Sequence, residues 1–113
     1  MSESKFTKLC CDALRAKGAL VYACVATEYQ SGWPDRYISH KYWHGWIEFK
    51  SITRRLETNQ RIVIQQLQLR GDNALIIRES VDKRIGQLED IDGKVIRVFW
   101  INDILELLIW AAI

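Results

Sequence analysis

The chain opens with apolar residues at helical spacing. Phe6, Leu9, Cys10, Ala13 and Leu14 share one stripe, and Lys5, Lys8, Asp12 and Arg15 form a polar one. The pattern predicts a helix over residues 4–17, capped by Ser4 and stopped by Gly18. ALVYACVAT, 19–27, is nearly continuous apolar sequence and predicts a buried strand. EYQSGWP, 28–34, predicts a loop. DRYIS and HGWIEFKS predict a strand pair around a turn at HKYW. Leu56, Val63, Ile64 and Leu67 predict a second helix over 57–70, ended by Gly71. ALIIRE, 74–79, predicts a strand, and Asp92-Gly93 the turn of a hairpin that follows it. Residues 102–112 predict a last helix, with Asn102 or Asp103 near its start. The order α-β-β-β-α-β, then hairpin and helix, implies one domain over 1–113, of the α/β or α+β class, with a mixed sheet flanked by helices.

Alternation assigns faces within this plan. In WIEFK, Ile47 and Phe49 point one way, and Trp46, Glu48 and Lys50 point the other. A turn centred between Lys41 and Tyr42 pairs residues whose numbers sum to 83 and sets Asp35 opposite Glu48. A turn at His44-Gly45 would move Asp35 away, and a slip of one residue would turn it to the other face. Gln60 lies on the apolar stripe of the second helix, where a polar residue is expected to reach a polar site.

Composition narrows the setting. The 113 residues are 49% hydrophobic, enough for a core, and the net charge is only +2. Any nucleic-acid surface must therefore be a local patch. Three cysteines, Cys10, Cys11 and Cys24, form no C-x-x-C pair. The odd count and polar N-terminus fit a reducing cytoplasm better than a disulfide scaffold. ILELLIWAAI near the end is too short to span a bilayer, which takes about 20 residues. No membrane role is expected.

Two carboxylates, an ammonium and an amide on one face suggest phosphodiester hydrolysis. Such chemistry needs an activated water and neutralised phosphate charge, and Mg²⁺ serves both through hard oxygen ligands. Asp35 and Glu48 would supply carboxylates and the Phe49 carbonyl a third oxygen. Lys50 would offset charge on the phosphate. Arg54, Arg55 and Arg61 could hold flanking phosphates.

Pro34-Asp35 followed by Glu48-Phe49-Lys50 resembles the PD-(D/E)xK nuclease motif. The longer run SGWPDRYIS, GWIEFKS and RRLETNQ is similar to the virus-type replication-repair (VRR-NUC) branch, in which a basic-Leu segment and a helical Gln follow the ExK. The resemblance covers about residues 19–79. It implies a restriction-endonuclease-like core and a Mg²⁺- or Mn²⁺-dependent DNA endonuclease. It also implies a homodimer acting on branched DNA such as four-way junctions, in a bacterial or phage-infected cell. Asp35, Glu48, Lys50 and Gln60 would be catalytic. Trp33 and Glu57 depart from the family's usual small or aliphatic residue and capping Ser. A further acid from the first helix would be Glu3 or Asp12.

Plainer readings stand beside this one. Asp35 could cap a turn, Glu48 and Lys50 could line a solvated strand, and Arg54 and Arg55 a solvated turn. His40 and His44 have the spacing of a helical zinc pair but fall in a hairpin. Trp33, Tyr42, Trp43 and Trp46 could stack on bases or pack internally. The apolar C-terminal stripe of Ile104, Leu105, Leu107, Leu108 and Trp110 could close the core or form a dimer seam. A non-catalytic nucleic-acid-binding module and a structural interaction protein are the rival functions.

Overall fold

Ser4 caps the first helix, its hydroxyl accepting from the Thr7 N–H at 3.1 Å. The structure, a computed structural model, describes residues 4–24 and 31–112. Helix α1 spans Lys5–Ala16. It ends where Gly18 takes a φ of 91°, as the Gly18 N–H reaches Arg15 and the Ala19 N–H reaches Leu14. This paired closure satisfies carbonyls that a helix end leaves open. Strands β1 (Leu20–Ala23), β2 (Arg36–His40) and β3 (Trp43–Lys50) follow. Then come α2 (Thr58–Leu69), β4 (Ala74–Glu79), β5 (Ile85–Glu89) and β6 (Val95–Trp100). A 3₁₀ turn at Ile101–Asp103 leads into α3 (Ile104–Trp110).

The six strands form one mixed sheet in the order β1-β2-β3-β4-β5-β6. Strands β3 and β4 are parallel, with α2 as their crossover, and every other neighbouring pair is antiparallel. The fold is mixed α+β, with three helices on this sheet among the described residues.

Alternation along the strands sorts two apolar layers. Ile47, Phe49, Ile77, Leu88 and Phe99 join α1 and α3 in the larger core. Ala74 and Ile76 face the other way and pack on Ile64 and Leu67 of α2. Ile104, Leu105, Leu107 and Leu108 lie inside the larger core, so the last helix closes the monomer.

Several sequence expectations need correction. The described part of the 19–27 run is not a buried strand: β1 is a short edge strand, with Leu20 and Tyr22 exposed. An edge strand with one covered layer leaves half its side chains in solvent, whatever its hydropathy. Residues 25–27 and 28–30 lie outside the described residues. Asp35 precedes β2 instead of opening it. The last helix is shorter than 102–112, beginning as a 3₁₀ turn, and its Trp110 is exposed.

Candidate active site at the end of strand β3

The β2–β3 hairpin has the register that sums to 83, from Arg36 opposite Ile47 to His40 opposite Trp43. Asp35 and Glu48 continue it one step beyond the ladder, and their side chains take over its hydrogen bonding. The Asp35 N–H donates to Glu48 Oε1 at 3.1 Å, and the Phe49 N–H donates to Asp35 Oδ2 at 2.9 Å. In a strand, the N–H and C=O of one residue point to the same side. The Trp46 N–H reaches Asn73 on the β4 side, whereas the Phe49 N–H reaches Asp35. The Phe49 carbonyl is therefore aimed at the Asp35 edge, past the last β2–β3 pair.

Glu48 and Lys50 project from the opposite face to Ile47 and Phe49, toward α2. Both are nearly inaccessible, at 2% and 5% exposure. Lys50 Nζ donates to Gln60 Oε1 at 2.7 Å and lies 3.4 Å from Glu48 Oε2. Gln60 Nε2 donates to that same Glu48 oxygen at 3.2 Å. Its Oε1 also accepts from the Glu57 N–H at 3.0 Å, tying the site to the helix start. Gln60 thus does two jobs: it caps α2 and binds both buried charges. Burial pushes the Glu48 carboxyl up to about 7, and the negative charge of Asp35 adds to the rise against the opposing pull of Lys50.

A docked loop brings these groups together. Gly32 has a φ of 91°, and a Cβ there would fall 2.6 Å from the Asn59 carbonyl oxygen. Asn59 also donates to the Ser31 hydroxyl. The loop before Asp35 therefore rests directly on the first turn of α2, and Pro34 is fully buried beneath it. Trp33 packs on Trp46 with ring centroids 5.1 Å apart, and Tyr37 packs on Trp46 at 4.9 Å.

On the other side, Arg78 of β4 lies beside Lys50 in the parallel register. Its guanidinium bonds the Ser51 and Arg54 carbonyls and the Glu89 carboxylate, each at 2.7 Å. Arg78 thus clasps the segment that leaves β3. Neither this clasp nor the Ser31–Asn59 contact was anticipated from sequence. The only sequence signal was a charged residue inside each of two apolar strands.

The remaining candidates are distributed as follows. Arg54 and Arg55 are exposed on the 51–57 segment, with Arg54 3.6 Å from Glu57. Arg61 turns instead to the β5–β6 hairpin, bonding Asp92 and, at 2.9 Å, the Ile91 carbonyl. Arg55, Arg61 and Arg78 line an open groove of about 460 Å³ together with Glu89, Asp90 and Asp92. Asp12 is exposed on α1 and paired with Lys8 and Arg15, so it is not part of the site. Glu3 lies outside the described residues. His40 is buried, with its ring bonded to the Lys17 carbonyl and the Tyr42 N–H, while His44 is exposed. Trp43 belongs to the core and Tyr42 is exposed.

Among the described residues no group of three or more His, Cys, Asp or Glu gathers as a metal cluster. The donor set at Asp35 and Glu48 is two carboxylates and a carbonyl. That suits a hard divalent cation that keeps most of its waters. Burial leads the upward push on Glu48 and the nearby Asp35 charge adds to it; a bound cation would act against that push. Comparison with protein-family models, with curated proteins and with solved structures finds no match. No helix among the described residues is long and apolar enough to cross a membrane.

Proposed function

We propose that the protein is a metal-dependent DNA endonuclease with a restriction-endonuclease-like core, acting as a homodimer on branched DNA such as four-way junctions. One observation carries this reading. A buried Glu48–Lys50 pair, bridged by Gln60, meets Asp35 across the hairpin at an edge where backbone pairing ends. The α1-β1-β2-β3-α2-β4 order supports the core assignment, and the PD and ExK residues support the VRR-NUC resemblance.

Asp35, Glu48 and the Phe49 carbonyl would hold Mg²⁺ or Mn²⁺. The cation, when bound, supplies Lewis-acid polarisation and lowers the pKa of a water. Gln60 fixes the Lys50 ammonium beside the carboxylates, where it offsets negative charge building on the phosphate. Low accessibility strengthens that interaction and keeps bulk water from screening it. Arg54 and Arg55 are exposed for contacts to flanking phosphates. Arg61 would serve there on release from Asp92.

One alternative is a nucleic-acid-binding module without catalysis, for which the exposed Arg54 and Arg55 of the 51–57 segment would supply phosphate contacts. It would bind DNA in EDTA with strong salt dependence and would not cut.

The test incubates the protein with labelled four-way junctions, flaps and linear duplexes in Mg²⁺, Mn²⁺ or EDTA, beside Glu48→Ala. Metal-dependent cutting that the variant loses is the expected result. Equal cutting by Glu48→Ala sinks the site. No cutting of any substrate, with no Mn²⁺ binding by calorimetry, gives the binding module precedence.

A further inference from the structure

On the sheet face that carries Glu48 and Lys50, helix α2 packs on Ala74 and Ile76 of β4 through Ile64 and Leu67. Strands β1 and β2 lie beyond that helix, and a row of rings crosses them. Tyr22 stands opposite Tyr37, and Tyr37 opposite Trp46, so the three share the face. Trp33 adds a fourth ring from the loop, packed against Trp46. The two ends of the row are open: Tyr22 is 54% exposed and Trp33 41%. Tyr37 and Trp46 are half-buried, and their edge-on contact at 4.9 Å fixes the middle of the row. The neighbouring row of Leu20, Ser39 and His44 sets a hydroxyl and an imidazole beside the rings. The exposed side chains of β6, Ile96, Val98 and Trp100, lie at the far edge of the sheet and are not part of this surface.

The row ends at the candidate site. Trp33 comes two residues before Asp35, and Trp46 two residues before Glu48. Two residues of strand span about 7 Å, and stacked nucleotides rise about 3.4 Å each. A strand with a phosphate at Asp35 and Glu48 therefore brings its next one or two bases over the rings.

The chemistry of the face selects the occupant. Glu48 is the only acid in β1, β2 and β3, so a polyanion meets no carboxylate from these strands until it reaches the site. Rings with polar tips suit the flat faces of nucleobases. Stacking needs a bare base face, which a duplex keeps inside its helix and an unpaired strand offers.

We propose that Tyr22, Tyr37, Trp46 and Trp33 form a stacking platform for unpaired bases of the DNA strand next to the bond that is cut. The preferred substrate then carries single-stranded nucleotides beside the scissile phosphate. This deepens the nuclease reading and rests on it for the position of that phosphate.

Fluorescence anisotropy of a labelled single-stranded thymidine oligonucleotide, in EDTA, tests the platform. An abasic oligonucleotide of equal length offers the same phosphates without bases, and the wild type should bind it more weakly by about 10-fold or more. Tyr22 lies outside both core clusters. Tyr22→Ala should keep the wild-type circular dichroism spectrum, bind the thymidine strand about 5- to 150-fold more weakly, and lose nothing on fully paired duplex. Tyr22→Phe, which keeps the ring, should bind like the wild type. Equal wild-type affinity for the two strands overturns the platform, as does unchanged affinity in Tyr22→Ala or an equal loss on duplex. Cutting in Mg²⁺ of junctions with and without unpaired nucleotides at the branch is followed in parallel. Base-dependent binding without cutting counts against the nuclease alone, and cutting without base-dependent binding counts against the platform alone.

Discussion

At the scale of single residues, the carboxyl of Glu48 couples stability to pH. Its folded pKa of about 7 stands above the ordinary 4.5, chiefly through burial. Between those values the folded chain keeps a proton that the unfolded chain has released, so stability falls as pH rises through the window. By this group alone, the metal-free protein should lose up to roughly 3 kcal/mol between about pH 4.5 and pH 7. Calorimetric melting in EDTA should show that slope in the wild type and lose it in Glu48→Gln. A Glu48→Gln variant with the wild-type slope would refute the assignment. Lys50 is tested by a different pair of readings. Lys50→Met should cut about 100-fold or more slowly, yet bind Mn²⁺ at least as tightly, because an ammonium that repels the cation is gone. A parallel loss of cutting and Mn²⁺ affinity would mean that Lys50 only supports the fold.

At the scale of elements, the site depends on how a loop and a strand exit are pinned. Gly32→Ala must push against the Asn59 backbone at 2.6 Å while holding a φ of 91°. It should cost about 1–3 kcal/mol and lower the DNA-cutting rate even at temperatures where the variant is fully folded. Activity that tracks only the folded fraction would show that the loop contact has no part in the chemistry. Arg78→Ala should be severe, about 3–5 kcal/mol, since it leaves Glu89 buried without its partner and frees two carbonyls of the 51–57 segment. Thermal melting checks it. Much of this level was readable beforehand. The Lys41–Tyr42 turn fixed which residues faced each other, and a glutamine on an apolar stripe marked Gln60. The rest was not readable, for physical reasons. A continuous apolar run looks alike in a central strand and at an edge, so β1 was misplaced. The Arg78–Glu89 pair depends on the β4–β5 register, and the loop between those strands carries no turn signal to set it.

At the scale of the whole molecule, a ligand at the site should stabilise the entire fold, because its donors come from β3 and the residue preceding β2, and α2 braces them. Mass action gives about 2.7 kcal/mol at a Mn²⁺ concentration 100 times the dissociation constant. The rise in melting temperature should be present at about pH 8, smaller near pH 5 where Glu48 is protonated, and absent in Glu48→Ala. An equal rise in that variant would place the cation elsewhere. The global layering was legible from alternation alone, since Ile76 and Ile77 go to opposite cores as neighbours in a strand should. The exposed face of β6 was not, because VIRVFW is as apolar as a central strand and only the count of strands and the reach of α2 decide what covers it.

The contact between Trp33 and Trp46 has an optical consequence. One indole rides on the loop before Asp35 and the other on β3 two residues before Glu48, with ring centroids 5.1 Å apart. Indoles in contact, here with their planes tilted by 57°, couple their electronic transitions, so the near-ultraviolet dichroism and emission of this pair register how closely the loop sits on the strand. The chain carries its own chromophores at the site. A stopped-flow trace of native fluorescence can therefore time events there without any attached dye.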